Sequence, residues 1–255
     1  MLDVLHVTKK YKKTIANNDV TLRVLDGQIG ILLGPNGAGK STIIKCITGF
    51  LKYDGHITID GDNNKSVDAK RLIGYVPEIP SLYPNLTVEE HLEFIARAYK
   101  LGEYKEYMNE LLDRFELSDK RGKFGDELSK GMKQKLSICC GLITKPKLII
   151  FDEPMIGLDP HAIKELKNIF KELAEQGTTV LISTHMIDSI EDLWDVTYIM
   201  QEGEIKACVK KDDEEEGRRL EDIFFEITEG KISEDEISED EMAEETKCEE
   251  AEGQV

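Results

Sequence analysis

The sequence has 255 residues, enough for one large hydrophobic core or two small ones. Its formal charge is −18, but residues 212–255 hold 20 acidic and 4 basic side chains, which leaves 31 acidic and 29 basic ones in residues 1–211. The near-neutral body and acidic end disfavour nucleic acid as a partner. Five cysteines without metal-ligand spacing, no apolar leader and no apolar run near 20 residues predict a protein of the reducing cytosol without a membrane span.

Short alternating apolar stretches fill residues 1–75 and predict strands joined by tight turns at three pairs, Asp26-Gly27, Asp54-Gly55 and Asp60-Gly61. Residues 85–145 have helical spacing instead. They begin with a predicted capping box, in which Thr87 and Glu90 bind each other's backbone N–H groups.

Apolar runs alternate with helical segments between residues 146 and 205. The order is LIIF, a helix at 160–175 that stops at Gly177, TTVLIS, another helix, and VTYIM. Such alternation is typical of a buried parallel sheet covered by helices, so we predict an α/β fold.

The composition changes after Lys211. Apolar residues from Leu220 to Ile227 recur at helical spacing and predict a short helix within 212–230 that docks on the body. Residues 231–255 contain the five-residue repeat ISEDE twice and few apolar side chains, so we expect an acidic disordered tail. No longer repeat is visible, which indicates a single principal domain over residues 1–211.

GPNGAGKST, residues 34–42, follows the apolar strand IGILL and matches G-x-x-x-x-G-K-[ST]. Glycines let successive backbone N–H groups surround phosphates, and the helix that follows adds the positive end of its dipole. Lys40 is predicted to reach the terminal phosphates and Ser41 to hold Mg²⁺. The predicted phosphate-loop residues are Gly34, Pro35, Asn36, Gly37, Ala38, Gly39, Lys40, Ser41 and Thr42.

Two carboxylates, Asp152 and Glu153, end the apolar strand LIIF. Alone, such a pair more often marks a strand leaving the core, but a phosphate loop about a hundred residues earlier favours a metal-binding strand. Asp152 is then predicted to bind Mg²⁺ and Glu153 to activate the attacking water. His185 ends the strand TTVLIST, where a histidine is ordinarily a surface or capping residue. In a phosphate site it could donate a hydrogen bond to the terminal phosphate or hold the attacking water.

The segment LSKGMKQK, residues 128–135, has a hydroxyl, a glycine and three lysines, so it can hold an anion but has no group that would react with one. Tyr11, in KKYKK, could pack in the core or stack on adenine, and by itself the residue favours packing.

Six segments occur in one order: the phosphate loop, YVPE at 75–78, LSKGMKQK, FDEP at 151–154, GLDP at 157–160 and STH at 183–185. Together they resemble the nucleotide-binding subunit of ABC transporters over residues 1–211. The resemblance implies a phosphate-loop α/β core, an amino-terminal antiparallel β subdomain and a helical subdomain inserted at about 80–145. It also implies a Mg²⁺-dependent ATP hydrolase that closes head to tail with a second copy of itself or a homologous ATPase chain.

Roles follow from the same resemblance. Tyr11 would stack on adenine, while Glu153 would be the general base and His185 the switch histidine. The partner's ATP would be held by the signature residues Ser129, Lys130 and Gly131, and Asp159 would lie in the loop that links the two sites across the dimer interface.

Two positions depart from the family pattern. Glu78 stands where glutamine is usual, and its carboxylate is a further candidate ligand of Mg²⁺ as well as a contact for the membrane subunit. Lys130 replaces the first signature glycine. Because a lysine at a helix N-terminus opposes the helix dipole, we hypothesise that Lys130 assists Ser129 and Gly131 at the partner's γ-phosphate.

The resemblance implies an ATP-hydrolysing subunit that drives transport through a separate multi-span membrane permease. The subunit itself would be cytoplasmic and bound to the inner face of the cell membrane. The segment LEDIFFEI, residues 220–227, is similar to the end of ATPase subunits of two-component bacterial exporters and favours export. One alternative is a soluble ABC-type ATPase acting in translation or on DNA. Another is a regulatory factor in which ATP only gates binding, which the intact hydrolytic residues disfavour.

Overall fold

The structure is a computed structural model that describes residues 1–190, 192–211 and 219–228. The chain divides into two compact units at residue 213. In chain order, the first unit contains β1 (Leu2–Tyr11), β2 (Thr14–Val24), β3 (Ile29–Leu33), α1 (Lys40–Ile47), β4 (Asp54–Ile59), β5 (Asp62–Asn63), α2 (Val67–Arg71), β6 (Ile73–Val76), α3 (Val88–Ala98), α4 (Lys105–Arg114), α5 (Lys130–Leu142), β7 (Leu148–Asp152), α6 (Pro160–Glu175), β8 (Thr179–Thr184), β9 (Val196–Gln201) and β10 (Glu204–Lys210).

The amino-terminal strands form an antiparallel sheet in the order β2-β1-β4-β5. One face of β1 is apolar and buried. Leu2 and Val4 alternate as the sequence predicts, and an irregularity in the pairing between Val4 and Val7 puts Val7 among the buried residues as well. The antiparallel sheet that the resemblance implies is therefore present.

A second sheet has the order β10-β9-β3-β8-β7-β6, with parallel pairing throughout except between β9 and β10. Every residue of β3, β7 and β8 is buried, because helices cover a parallel sheet on both faces. The carboxyl ends of these three adjacent strands lie at one edge, and this edge carries the predicted phosphate loop, Asp152, Glu153 and His185. The α/β fold is confirmed.

The helices begin and end close to where the sequence places them. Thr87 and Glu90 form the predicted capping box at the start of α3, and α6 spans the predicted residues 160–175. Gly177, with φ of +86°, follows α6 in the left-handed conformation that favours glycine. The helices α3, α4 and α5 fall within the range of the predicted helical subdomain, whose boundaries stay a prediction.

An arginine joins α4 to α6. The Arg114 guanidinium donates to both carboxylate oxygens of Glu172, at 2.7 and 2.8 Å, and a third hydrogen bond goes to Glu165. Hydrogen bonding to Glu172 raises the pKa of Arg114 further above its usual range, against the opposing effect of burial. This bidentate contact fixes the end of α4 to the last turn of α6.

Two local predictions are wrong. The helix expected between β8 and β9 is a single 3₁₀ turn at Ile187–Ser189, because the chain must return to β3, where Asp195 accepts the N–H of Ile29 at 2.7 Å. The Asp54-Gly55 pair begins β4 instead of forming a turn. A Cβ on Gly55 would lie 2.4 Å from the carbonyl oxygen of His6, so glycine permits the close approach of β4 to β1.

The second unit contains α7 (Leu220–Thr228), which lies within the predicted range 212–230. Its docking on the body stays a prediction. The acidic tail, predicted for 231–255, falls outside the described residues. Among the helices that the structure describes, none combines the length and apolar character needed to cross a membrane.

Candidate nucleotide-binding site

The phosphate loop connects β3 to α1. A Cβ on Gly34 would lie 2.2 Å from the carbonyl oxygen of Met200, so a side chain at this position would collide with β9. Gly37 and Gly39 have φ of +85° and +108°, and Gly39 immediately precedes the first turn of α1, which has no acidic residue. The helix N-terminus therefore meets the loop without a carboxylate in its own first turn.

Lys40 is buried beneath this loop with 5% of its surface exposed. Its ammonium donates hydrogen bonds to the carbonyl oxygens of Gly34, at 2.6 Å, and Pro35, at 3.1 Å. The same nitrogen lies 3.4 Å from Oε1 of Glu153. Two sequence segments more than a hundred residues apart thus meet at one positive charge.

Asp152 receives two hydroxyl groups on a single oxygen. Ser41 donates to its Oδ1 at 3.1 Å and Ser183 donates to the same atom at 2.6 Å. Asp152 is 2% exposed, and the register of β7 and β8 pairs it with Ser183. Carboxylate and hydroxyl oxygens are hard ligands suited to Mg²⁺, so the two predicted metal ligands, Ser41 and Asp152, fit that ion and lie together.

Glu153 lies between Lys40 and His185. Its Oε2 is 3.0 Å from Nδ1 of His185, although the angle is not that of a hydrogen bond. Its backbone has φ of +48°, which a non-glycine residue seldom adopts, and its N–H donates to the carbonyl oxygen of Ser183 at 3.1 Å. The structure therefore gathers the predicted lysine, base and histidine at one point.

Glu78 lies on the same edge, two residues beyond β6, and is exposed. Burial raises the pKa of Tyr75, and the negative charges of Asp152 and Glu78 raise it further, so both carboxylates act on one phenol. In the described part of the chain, Asp152 has its hydrogen bonds from Ser41 and Ser183, and Glu78 is not among its partners. It shares the edge of the sheet with the predicted ligands, and its role stays a prediction.

Tyr11 ends β1 and is 45% exposed, with the Lys9 ammonium 4.8 Å from its ring centre. The neighbouring strand β2 contacts the phosphate loop, because the side-chain amide of Asn17 donates to the carbonyl oxygen of Gly39 at 3.2 Å. The ring is thus exposed on the sheet that contacts the loop. Its stacking on adenine stays a prediction.

The signature segment forms the start of α5. Ser129 is the N-cap and accepts the N–H of Met132 at 3.3 Å, and exposed Lys130 is the first helical residue. A Cβ on Gly131 would lie 2.9 Å from the carbonyl oxygen of Gly157, so this helix end packs closely on the loop that follows Glu153. The predicted segments 129–131 and 157–160 are therefore neighbours.

Comparison with known proteins gives the family. A model of the ABC transporter family matches residues 17–156, more than half of the chain, including the phosphate loop, LSKGMKQK and Asp152-Glu153. The chain belongs to the ABC transporter family.

Relatives of this ABC protein include the lantibiotic transport ATP-binding protein SrtF of Streptococcus pyogenes, which is 36% identical over 88% of this chain and 96% of SrtF. The solved structure of an ATP-binding subunit of an ABC transporter is 37% identical, with a TM-score of 0.85 over 89% of this chain and 99% of that one. The dimeric ATP-binding cassette MJ0796, in a post-hydrolysis state with ADP and Pi, is 28% identical, with a TM-score of 0.75 over 82% of this chain and 98% of that one. The protein is thus an ABC-type ATPase, an ATP-hydrolysing enzyme.

Sequence reasoning missed the partners of a buried lysine of this ABC ATPase. The ammonium of Lys135, which is 7% exposed, lies 2.8 Å from Oδ2 of Asp159 and 3.3 Å from Oε2 of Glu116. Burial alone would lower the pKa of Lys135, but its hydrogen bonds to these carboxylates outweigh burial and raise it. Within LSKGMKQK this lysine looked like a ligand for an anion, whereas the structure uses it to join α5 to the loop before α6.

Proposed function

We propose that this ABC ATPase is the ATP-binding subunit of a transporter. It hydrolyses ATP with Mg²⁺ as a head-to-tail dimer and drives export through a separate multi-span permease on the inner face of the cell membrane. The observation that carries the proposal is the convergence of Lys40, Glu153 and His185 beside the Ser41–Asp152 contact.

Each of these side chains would have a separate role at the ATP site. Lys40 would exchange its two loop carbonyls for the terminal phosphates, which are stronger partners because they carry charge. The carboxylate of Glu153 would take the proton of the attacking water, and His185 would donate a hydrogen bond to the γ-phosphate. The phosphate-loop N–H groups would hold the remaining phosphate oxygens.

Ser41 and Asp152 would hold Mg²⁺, with Glu78 as a further candidate on the same edge. When bound, the ion neutralises negative charge on the phosphates. The Oγ of Ser41 lies 3.1 Å from Oδ1 of Asp152, so the two predicted ligands are close enough to hold one ion together.

Pairing of two chains is supported by the position of the signature segment. Gly131 packs on the carbonyl oxygen of Gly157 and the Lys130 side chain lies beside the same glycine, while Ser129 caps α5. In the described part of the chain no hydrogen bond or ion pair joins these three residues to their own phosphate loop. A helix start with a hydroxyl, a glycine and a lysine that is not joined to its own phosphate loop would suit the γ-phosphate of a second chain. The likeness to the dimeric cassette MJ0796 supports the same arrangement.

Coupling to a permease is supported by the family and by the likeness to a lantibiotic transport ATP-binding protein. The direction of transport rests on residues 220–227, which are similar to the ends of exporter ATPase subunits. Pull-down from detergent-solubilised membranes should recover a multi-span membrane protein. Recovery of ribosomes in its place would overturn transport and leave hydrolysis standing.

Glu153→Gln tests the hydrolytic dimer. The amide keeps the shape of the side chain but cannot accept the water's proton, so this variant should bind ATP, stop hydrolysis and accumulate dimers on size exclusion with light scattering. Glu175→Gln, an exposed change at the end of α6, is the matched control and should hydrolyse ATP normally. Wild-type turnover by Glu153→Gln would remove Glu153 as the base.

A further inference from the structure

We propose that Ser183 is a positioning residue of the ATP site, whose one hydroxyl orients Asp152 for Mg²⁺ and also binds the backbone of Glu153. The inference rests on the proposed Mg²⁺-dependent hydrolysis. It gives a functional role to Ser183, which the sequence alone identifies only as part of the strand that precedes His185.

The hydrogen bonds around Ser183 fix the direction of its proton. Ser183 is fully buried on β8, and its Oγ lies 2.6 Å from Oδ1 of Asp152. A carboxylate only accepts hydrogen bonds, so the hydroxyl proton must lie on this contact. The oxygen then accepts the N–H of Glu153 at 3.2 Å. One hydroxyl therefore serves both acidic residues of the site.

The two oxygens of Asp152 consequently have different tasks. Ser183 and Ser41 both donate to Oδ1, and no hydrogen bond from the described residues reaches Oδ2. Oδ2 is thus the oxygen that can face a cation, directly or through water. With the Ser41 oxygen on the ion, Ser183 would remain as the donor that keeps the carboxylate plane fixed. Partners of this kind set the orientation of metal ligands.

Ser183 binds the N–H of Glu153 through both its hydroxyl and its carbonyl oxygen, but it binds the carboxylate of Asp152 through its hydroxyl alone. The N–H of Glu153 also donates to the carbonyl oxygen of Ser183 at 3.1 Å, a bond that survives when the side chain is removed. Ser183→Ala should therefore leave Glu153 in place and disturb mainly the carboxylate of Asp152. This difference separates an effect on the metal from a general effect on the site.

Thr197 on β9 provides a matched control. It is also fully buried in this sheet, but its hydroxyl has no hydrogen-bond partner among the described residues. Thr197→Val removes a buried hydroxyl at nearly constant volume, so it reports the cost of losing such a group where no partner depends on it.

The experiment measures binding of the fluorescent nucleotide mant-ADP to the full chain, first in EDTA and then over a Mg²⁺ titration, together with the Mg²⁺ dependence of ATPase activity. In EDTA, Ser183→Ala should bind mant-ADP as the wild type does. Its half-maximal Mg²⁺ concentration should rise about tenfold or more in both assays, the usual effect of losing the partner of a metal ligand. Thr197→Val should match the wild type throughout.

An unchanged Mg²⁺ requirement in Ser183→Ala would overturn the inference while leaving the proposed function intact. A wild-type chain without Mg²⁺-dependent hydrolysis would instead overturn the proposed function, and the role of Ser183 with it. If Ser183→Ala fails to bind mant-ADP in EDTA, Ser183→Cys decides, because it leaves no cavity and its slightly larger thiol is a weak donor. A wild-type Mg²⁺ requirement in that variant would also overturn the inference.

Discussion

The ammonium of Lys40 lies 3.4 Å from the carboxylate of Glu153, and both side chains are more than nine-tenths buried. Because water has little access to either side chain, each charge is compensated mainly by the other. The phosphate-binding lysine and the proposed base are therefore coupled in stability as well as in function.

Lys40→Met should lower the free energy of unfolding by about 3 kcal/mol, because it leaves Glu153 buried without its cation. The double variant Lys40→Met/Glu153→Gln should recover part of that loss, since its buried side chains are both neutral. Urea denaturation of the three proteins at pH 7, without nucleotide, measures both effects. Glu153→Gln, measured in the same way, completes the comparison: a loss in the double variant equal to the sum of the two single losses would show that the two groups are not coupled.

Lys130→Ala should separate stability from dimerisation. Lys130 is the first residue of α5, where a positive charge is unfavourable by about 0.3–1 kcal/mol, so its removal should leave the monomer as stable or slightly more stable. In a Glu153→Gln background, ATP-driven dimerisation should weaken about tenfold because a cation near the partner's phosphate is lost. Analytical ultracentrifugation over an ATP titration measures this affinity.

Lys133→Ala removes one positive charge a turn further along the same helix and serves as the control for Lys130. It should change dimerisation far less. If both variants dimerise like the parent protein, Lys130 has no role at the partner's phosphate.

Asp159 should make stability depend on pH. The hydrogen bond from Lys135, then that from the N–H of Ala162, holds the pKa of Asp159 below its usual value. Because the pKa is lower in the folded than in the unfolded chain, the contribution is complete above about pH 4 and is lost as the pH falls through the folded pKa.

Asp159→Asn keeps an oxygen that can cap α6 but removes the charge that Lys135 binds. The variant should be less stable than the wild type at pH 7, and the two should converge as the pH falls towards 3. Urea denaturation at several pH values gives the two curves. A constant offset between them over this range would contradict the assignment.

Arg114→Lys should behave as a damaging change. A lysine ammonium cannot reproduce the bidentate contact with Glu172 and the bond to Glu165 together, so we expect the free energy of unfolding to fall by about 1–2 kcal/mol. Arg97→Lys, in an exposed pair with Glu93, is the control and should change it by less than about 0.5 kcal/mol. Equal effects in urea denaturation would contradict the prediction.

Local patterns carried most of what could be predicted from the sequence. The phosphate loop, the Asp152-Glu153 pair and the bounds of α6 depend on neighbouring residues, so spacing and capping signals were enough. The segment after β8 has enough apolar residues to predict a helix as well. The chain turns there instead, because Asp195 must reach the start of β3. Such long-range demands leave no local signal.

The contacts that sequence reasoning missed depend on register between distant segments. Ser183 faces Asp152 because β7 and β8 pair in one particular alignment. Lys135 meets Asp159 because α5 packs on the loop before α6. In both cases the residue type was visible and its partner was not.

The helix α6 accepts cations from two helices of the 88–142 segment. Lys135 of α5 binds at its first turn, through Asp159, and Arg114 of α4 binds at Glu165 and Glu172. At 1.5 Å per residue the outermost attachments are about 20 Å apart, so α6 is held near both of its ends. A displacement of α4 or α5 would therefore be transmitted to α6, and through its first turn to the loop that begins at Glu153.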